Sequence, residues 1–176
     1  LKILSSQAAI SIENTRLLMH RENSAKLEKE MEIASNIQTG LLVENPKIKD
    51  YEVLTYLKPS EELGGDYYDF INAGGRDWLV IGDASGRGVT AGLIIMMVQT
   101  AIHTVLTQNP HLSPSELLNI INKVIRENLN KLQEDKYMTI IVFAMHERGK
   151  FTFSGLHQNI LVFRKATNEV ESINSD

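Results

Sequence analysis

Residues 64–88 decide the fold: Gly64-Gly65-Asp66-Tyr67-Tyr68-Asp69-Phe70, then Gly74-Gly75, then Ile81-Gly82-Asp83-Ala84-Ser85-Gly86-Arg87-Gly88. Two apolar-rich runs, Asp66 to Asn72 and Asp77 to Asp83, flank the Gly-Gly pair. Such a pair is a favoured two-residue hairpin loop, because both positions take positive φ at no steric cost. With Gly74-Gly75 as the loop, Ala73 pairs with Arg76. Counting outward sets Phe70 against Leu79, Tyr68 against Ile81 and Asp66 against Asp83. All of these side chains share one sheet face. It is apolar near the turn and ends in two facing carboxylates.

Directly opposed residues of such a pair have Cβ atoms only about 4.5–5.5 Å apart, where like charges destabilise. A shared proton would relieve them. A hard divalent cation is the commoner solution for clustered carboxylates, since magnesium and manganese take oxygen ligands. Asp69 falls on the opposite face by parity and reads as a solvated or strand-edge carboxylate. Ser85-Gly86-Arg87-Gly88 runs into a helix, so it either receives an anion at the helix N-terminus or only makes the tight turn. Arg87 is a phosphate contact on the first reading and a solvated surface cation on the second. His157, at a turn between Phe153 and Ile160, reads as a surface or hydrogen-bonded structural histidine. Ser85 has no sequence-adjacent base, so covalent catalysis is not indicated.

Outward from this centre the pattern changes. Residues from about Ser6 to Leu42 contain no proline and one glycine, Gly40, and are rich in Ala, Leu, Glu, Lys, Met and Gln. They predict one long helix. Leu27, Met31, Ala34, Gln38 and Leu41 follow spacings of four and three, which suits packing against the chain's own domain or a parallel dimeric linker. Asn45-Pro46-Lys47 is expected to end that helix, because the residue before a proline leaves the α region. Tyr51 to Leu57 alternates in part and reads as a strand.

A helix from Val89 to Leu106 is apolar on more than one face and is therefore buried between layers. Another opens at Ser113-Pro114-Ser115-Glu116, a capping box with proline at its first position, and carries one apolar stripe through Leu132. Strands follow at Tyr137 to Ala144, Lys150 to Phe153, Ile160 to Arg164 and Glu169 to Ile173. Strands, then two helices, then strands indicate an α+β layered domain rather than a parallel doubly wound sheet.

The 176 residues suffice for one main folded unit with an appendage. A hydrophobic share of 43 % and a charged share of 23 % are ordinary for a globular protein. The formal charge of −4, from 22 acidic and 18 basic residues, offers no basic stripe for nucleic acid. Without cysteine there is no disulfide or thiolate ligand, which suits a reducing cytoplasm, and any metal must be held by oxygen or imidazole. The longest apolar run, Leu93 to Val98, falls far short of the roughly 20 residues that cross a bilayer, so no membrane span is expected.

The joint order of Ala34-Ser35-Asn36-Ile37-Gln38, the Gly-Gly-Asp-Tyr-Tyr-Asp-Phe run, Gly-Asp-Ala-Ser-Gly-Arg-Gly, Met138-Thr139 and Phe153-Ser154-Gly155-Leu156-His157-Gln158 resembles the SpoIIE-type bacterial branch of the PPM, or phosphatase 2C-like, serine/threonine phosphatases. That resemblance implies an αββα sandwich of two mainly antiparallel sheets flanked by helices. It also implies two magnesium or manganese ions, with Asp66, Asp83 and the Ala84 carbonyl as ligands, and a metal-bound water as nucleophile in place of any catalytic side chain. Gly86, Arg87 and Gly88 are the candidate phosphate contacts. The family continues past the strand near Glu169 to two further metal-binding aspartates, so the resemblance implies a domain incomplete at Asp176.

Gln7-Ala8-Ala9-Ile10-Ser11-Ile12-Glu13-Asn14 resembles the last helix of a GAF sensory domain. Residues 1–44 then read as the end of a sensor plus a helical, coiled-coil-like linker, and 45–176 as the phosphatase domain. The implied substrate is a phosphoserine or phosphothreonine regulatory protein such as an anti-sigma-factor antagonist. The implied assembly is a cytoplasmic homodimer joined through the helix. The alternative is a non-catalytic dimerisation or interaction module with an incomplete metal site. A GGDEF-type nucleotide cyclase, suggested by Gly64-Gly65-Asp66, has no place for the Asp83 to Gly88 motif.

Overall fold

The computed structural model describes residues 2–43, 46–58 and 63–174. In chain order these form α1 (Lys2–Gly40), β1 (Asp66–Ala73), β2 (Arg76–Ala84), α2 (Val89–Gln108), α3 (Pro114–Leu132), β3 (Met138–Glu147), β4 (Lys150–Leu156), β5 (Ile160–Arg164) and β6 (Glu169–Ile173). Strands β1-β2-β3-β4 make one antiparallel sheet in that order, and β5-β6 make a second, two-stranded one.

Period-two alternation divides the larger sheet into two faces. Tyr67, Ile71, Ala73, Trp78, Val80, Ala84, Val142 and Ala144 are buried beneath α2 and α3. Helix α2 answers with Ala91, Ile94, Ile95, Val98, Ile102 and Leu106, and α3 with Leu117, Ile121, Ile125 and Leu129. Steps of three and four keep each set on one helix face. Taken alone, α2 is long and apolar enough to cross a membrane. Its place in the core accounts for that composition.

The other face carries Tyr68, Phe70, Leu79, Ile81, Ile141, Phe143, Phe151 and Phe153. It shares a cavity of about 630 Å³ with the β5–β6 hairpin, which stands as the start of a second sheet layer. Phe151, Phe153 and Leu161 remain exposed there.

The helix α1 stops at Gly40, ahead of Pro46, and closes with tight turns from Leu41 N to Gln38 O and Leu42 N to Thr39 O. Glycine's low helix propensity is enough to end it there; Asn45 of the expected terminator lies outside the described residues. The expected strand at Tyr51 to Leu57 is not one. Its residues alternate in burial, but the segment pairs with no strand among the described residues and instead lines the outer cavity. Strand β4 runs on past Phe153 to Leu156, pairing with β3 throughout, and only glycine fits at position 155, where φ is +109° and a Cβ would stand 2.1 Å from the Ile140 carbonyl oxygen.

The Ser113 cap is complete: its Oγ accepts from Glu116 N at 3.3 Å, and the Glu116 carboxylate accepts from Ser113 N at 2.8 Å. Replacing the capping residue therefore costs about 1 kcal/mol, whereas Ile102→Ala, which empties a fully buried site in α2, costs about 2–5 kcal/mol. Urea unfolding of the two variants should separate them in that order; equal losses would mean that α2 is not packed as described.

Candidate active site

The β1–β2 hairpin turns at Gly74 and Gly75, with φ +58° and +77°, and its ladder pairs Asp66 with Asp83 and Tyr68 with Ile81. One strand further on, Thr139 lies opposite Asp83. Two exposed carboxylates and a hydroxyl thus form one row at the end of the sheet. The loop beyond Asp83 folds back on them. Its Ser85 donates from N to the Tyr137 carbonyl at 2.7 Å, while Tyr137 N donates to Ser85 Oγ at 3.0 Å. Gly86 and Gly88 adopt φ +89° and +76°, and Gly88 N bonds to the Leu63 carbonyl at 3.2 Å before α2 begins.

Gly65 leaves this centre open. A Cβ at that position would lie 2.8 Å from the Ala84 carbonyl oxygen, 3.1 Å from Asp83 Oδ1 and 3.1 Å from the Gly86 carbonyl oxygen. Three oxygens therefore converge on a hollow that only glycine keeps vacant. This all-oxygen set of one carboxylate and two carbonyls, with the Asp66 carboxylate on the neighbouring strand opposite Asp83, fits a hard divalent cation. Among the described residues no group of three or more acidic or histidine side chains could hold a metal, and the carboxylates at this end of the sheet are the pair Asp66 and Asp83. Gly86 and Gly88 shape the loop and Arg87 sits between them, two residues before the start of α2.

Behind the row, the structure corrects the reading of Asp69, which is 1 % exposed rather than solvated. Its Oδ2 accepts from Tyr67 Oη at 3.0 Å and Gln99 Nε2 at 3.3 Å and is 2.7 Å from His103 Nε2; Oδ1 accepts from Phe70 N at 2.8 Å. Burial, reinforced by this carboxylate, pushes the Tyr67 hydroxyl well above its ordinary range, so it stays a donor. The hydrogen bond to Asp69, aided by its charge and opposed by partial desolvation, raises the half-exposed His103. Gln99 also donates to the Leu41 carbonyl at 3.0 Å. The end of α1 is held a second time, by Gln38: its Nε2 donates to the Gly64 carbonyl at 2.9 Å and its Oε1 accepts from Gly64 N at 3.2 Å.

A family model described as Stage II sporulation protein E (SpoIIE) matches residues 73–176, a span that holds Asp83 and Ala84 but begins after Asp66. The phosphoserine phosphatase RsbU of Bacillus subtilis (strain 168) is 27 % identical over 133 residues, covering 73 % of this chain and 38 % of that protein. The chain thus spans well under half of that relative's length. Among solved structures, the SiaA-PP2C domain of Pseudomonas aeruginosa superposes with a TM-score of 0.71 at 20 % identity, over 87 % of this chain and 62 % of the other. The RsbU and RsbW domains of Rv1364c from Mycobacterium tuberculosis give 0.52 at 21 % identity, over 65 % and 32 %. At those identities the structural likeness speaks for the fold.

Counting outward from the Gly-Gly turn set Asp66 against Asp83, as the ladder has them, and the Ala84 carbonyl, which the resemblance implied, lies with Asp83 Oδ1 beside Gly65. Sequence reading missed the Gly65 hollow, the Gly86 carbonyl and the Asp69 network. His103 supplies a pH test. Its folded-state pKa is raised, so its contribution to stability is full below about pH 6.5, the unfolded value, and is lost as pH rises through the folded one. The Tm gap between wild type and His103→Gln should therefore be widest in mild acid and close toward alkaline pH; a pH-independent gap would show that Asp69 and His103 do not pair as charges.

Proposed function

Because the chain belongs to the Stage II sporulation protein E family, we propose that it carries part of a metal-dependent protein serine/threonine phosphatase acting on a phosphorylated regulatory protein. The observation that carries this is the opposed pair Asp66–Asp83 beside a hollow bordered by the Ala84 and Gly86 carbonyls. Asp66, Asp83 and the Ala84 carbonyl would hold magnesium or manganese, which supplies charge against the phosphoryl oxygens and acidifies a water. Gly86 and Gly88 leave the loop backbone open to a phosphate, and Arg87 is the cation that would orient it. The named activity of the Bacillus relative, a phosphoserine phosphatase, supports phosphoserine as the target, and a small anti-sigma-factor antagonist fits that chemistry.

In this reading residues 45–176 are the phosphatase portion, and residues 1–44 are a linker that follows a GAF-type sensor and joins two copies in the cytoplasm. Ile10, Leu17, Leu18, Leu27, Ile33 and Ile37 stand exposed along α1, which supports a homodimer. The second reading, a non-catalytic interaction module, draws on the presence of only two side-chain donors among the described residues.

Assay of the full-length gene product on a serine-phosphorylated protein decides between them. Manganese- or magnesium-dependent phosphate release, falling by roughly 100-fold or more in Asp66→Asn and in Asp83→Asn, is expected where a preorganised charge-stabilising group is lost. Turnover that survives chelation of the metal, or no turnover with either metal, would overturn the phosphatase reading.

A further inference from the structure

The ladder between β2 and β3 pairs Asp83 with Thr139 and Ala84 with Met138. Continued past the strand ends, the same register sets Ser85 opposite Tyr137 and Gly86 opposite Lys136. Both steps are visible as contacts. Ser85 and Tyr137 exchange two hydrogen bonds, from Ser85 N to the Tyr137 carbonyl at 2.7 Å and from Tyr137 N to Ser85 Oγ at 3.0 Å. This clamp brings the next residue, Lys136, down on the loop, with its Nζ 3.0 Å from the place a Cβ of Gly86 would take. The carbonyl oxygen of the same Gly86 borders the hollow at Gly65, 3.1 Å from the Cβ position there and beside the Ala84 carbonyl and Asp83 Oδ1. A single glycine thus lies between a lysine head group and the oxygen-lined hollow.

Lys136 is half-buried. Among the described residues, Glu134 and Asp135 next to it in the chain included, none gives its ammonium a hydrogen bond or an ion pair. Arg87, the cation carried by the loop itself, already has a partner. Drawing a charge out of water without a counter-charge costs free energy, and a lysine head group on its long flexible stem is free to turn outward. An ammonium kept over the loop is therefore placed for an anion from outside the chain. We propose that Lys136 is a substrate-binding residue whose ammonium contacts a phosphoryl oxygen of the phosphoserine or phosphothreonine side chain. The assignment rests on the phosphatase reading. A phosphoryl group presents several oxygens at once. Those turned toward the hollow face the Asp66–Asp83 side, and one turned toward the Gly86 backbone meets Lys136, a compact charge with three donors. The phosphoryl oxygens are anionic before and during the reaction, so a contact of this kind acts on binding more than on turnover.

In the full-length, manganese-loaded protein, Lys136→Gln should weaken the affinity for inorganic phosphate, measured by calorimetry, about tenfold, the scale of one charge-assisted hydrogen bond. KM should rise by a similar factor for a phosphoserine peptide and for p-nitrophenyl phosphate, which share only the phosphoryl group, while kcat stays within about threefold. Manganese affinity should be unchanged, and Lys136→Arg, which keeps the charge, should recover most of both losses. A KM rise confined to the peptide would set Lys136 against the polypeptide instead of the phosphoryl group and overturn the assignment. Unchanged phosphate affinity in Lys136→Gln, or a fall in manganese affinity as large as that for phosphate, would overturn it too. Each of these results leaves the phosphatase reading intact. A wild-type protein inert toward both substrates would overturn both.

Discussion

The register of the β1–β2 hairpin rests on two adjacent residues with positive φ, Gly74 and Gly75, and on this the rest of the molecule depends. Because side chains alternate along a strand, a slip of one residue would exchange the two faces. Tyr67, Ile71, Trp78 and Val80 would leave the core, and Asp66 and Asp83 would be driven beneath α2. Gly74 is confined a second time, since a Cβ there would come within 2.7 Å of the Pro110 ring, so the turn is packed against the α2–α3 connection as well as conformationally selected. Turn chemistry, core burial and the separation of the carboxylates from the core are one constraint seen at three levels.

The same parity places a carboxylate where sequence reasoning does not expect one. Asp69 lies one strand position from the exposed face and points into the core, where an unpaired charge costs several kcal/mol. It is tolerated because donors arrive from two elements: Tyr67 and the Phe70 amide from its own strand, Gln99 and His103 from α2. Removing any single donor leaves the others to hold an anion that cannot reach water, the situation in which a buried polar network is most sensitive to substitution. Gln99 also grips the Leu41 carbonyl, so the network that stabilises the site strand fixes the exit of α1.

What could be read from the sequence was what local chemistry specifies. The Gly-Gly turn, the Ser113 capping box, the buried character of α2 and the strands β5 and β6 each depend on residues close together in the chain, and the opposed aspartates follow from the turn by counting. What could not be read depends on distant partners. Asp69 looks like an edge carboxylate until Gln99 and His103, thirty and more residues away, are set beside it. Gln38 fits a helical seam by spacing, yet it is spent on the Gly64 backbone. The alternation from Tyr51 to Leu57 is real in its burial, but alternation requires only one apolar side, and a strand requires a partner as well.

The two faces of the larger sheet thus carry different burdens, and their separation explains how exposed acidic residues coexist with a stable domain. The helix-covered face concentrates the apolar burial, with Trp78, Val80, Ile102, Leu106, Leu117 and Val142 out of contact with water. The site lies at the strand ends of the opposite face, where repulsion between Asp66 and Asp83 is softened by solvent and adds little strain to the core. Its geometry nevertheless inherits the rigidity of the core, because each of its side chains alternates with a buried or half-buried neighbour: Asp66 with the buried Tyr67, Asp83 with the buried Gly82 and Ala84, Thr139 with the half-buried Met138 and Ile140 that pack against the core. A site built in this way is held in position from behind, by strand pairing and by packing it does not itself provide.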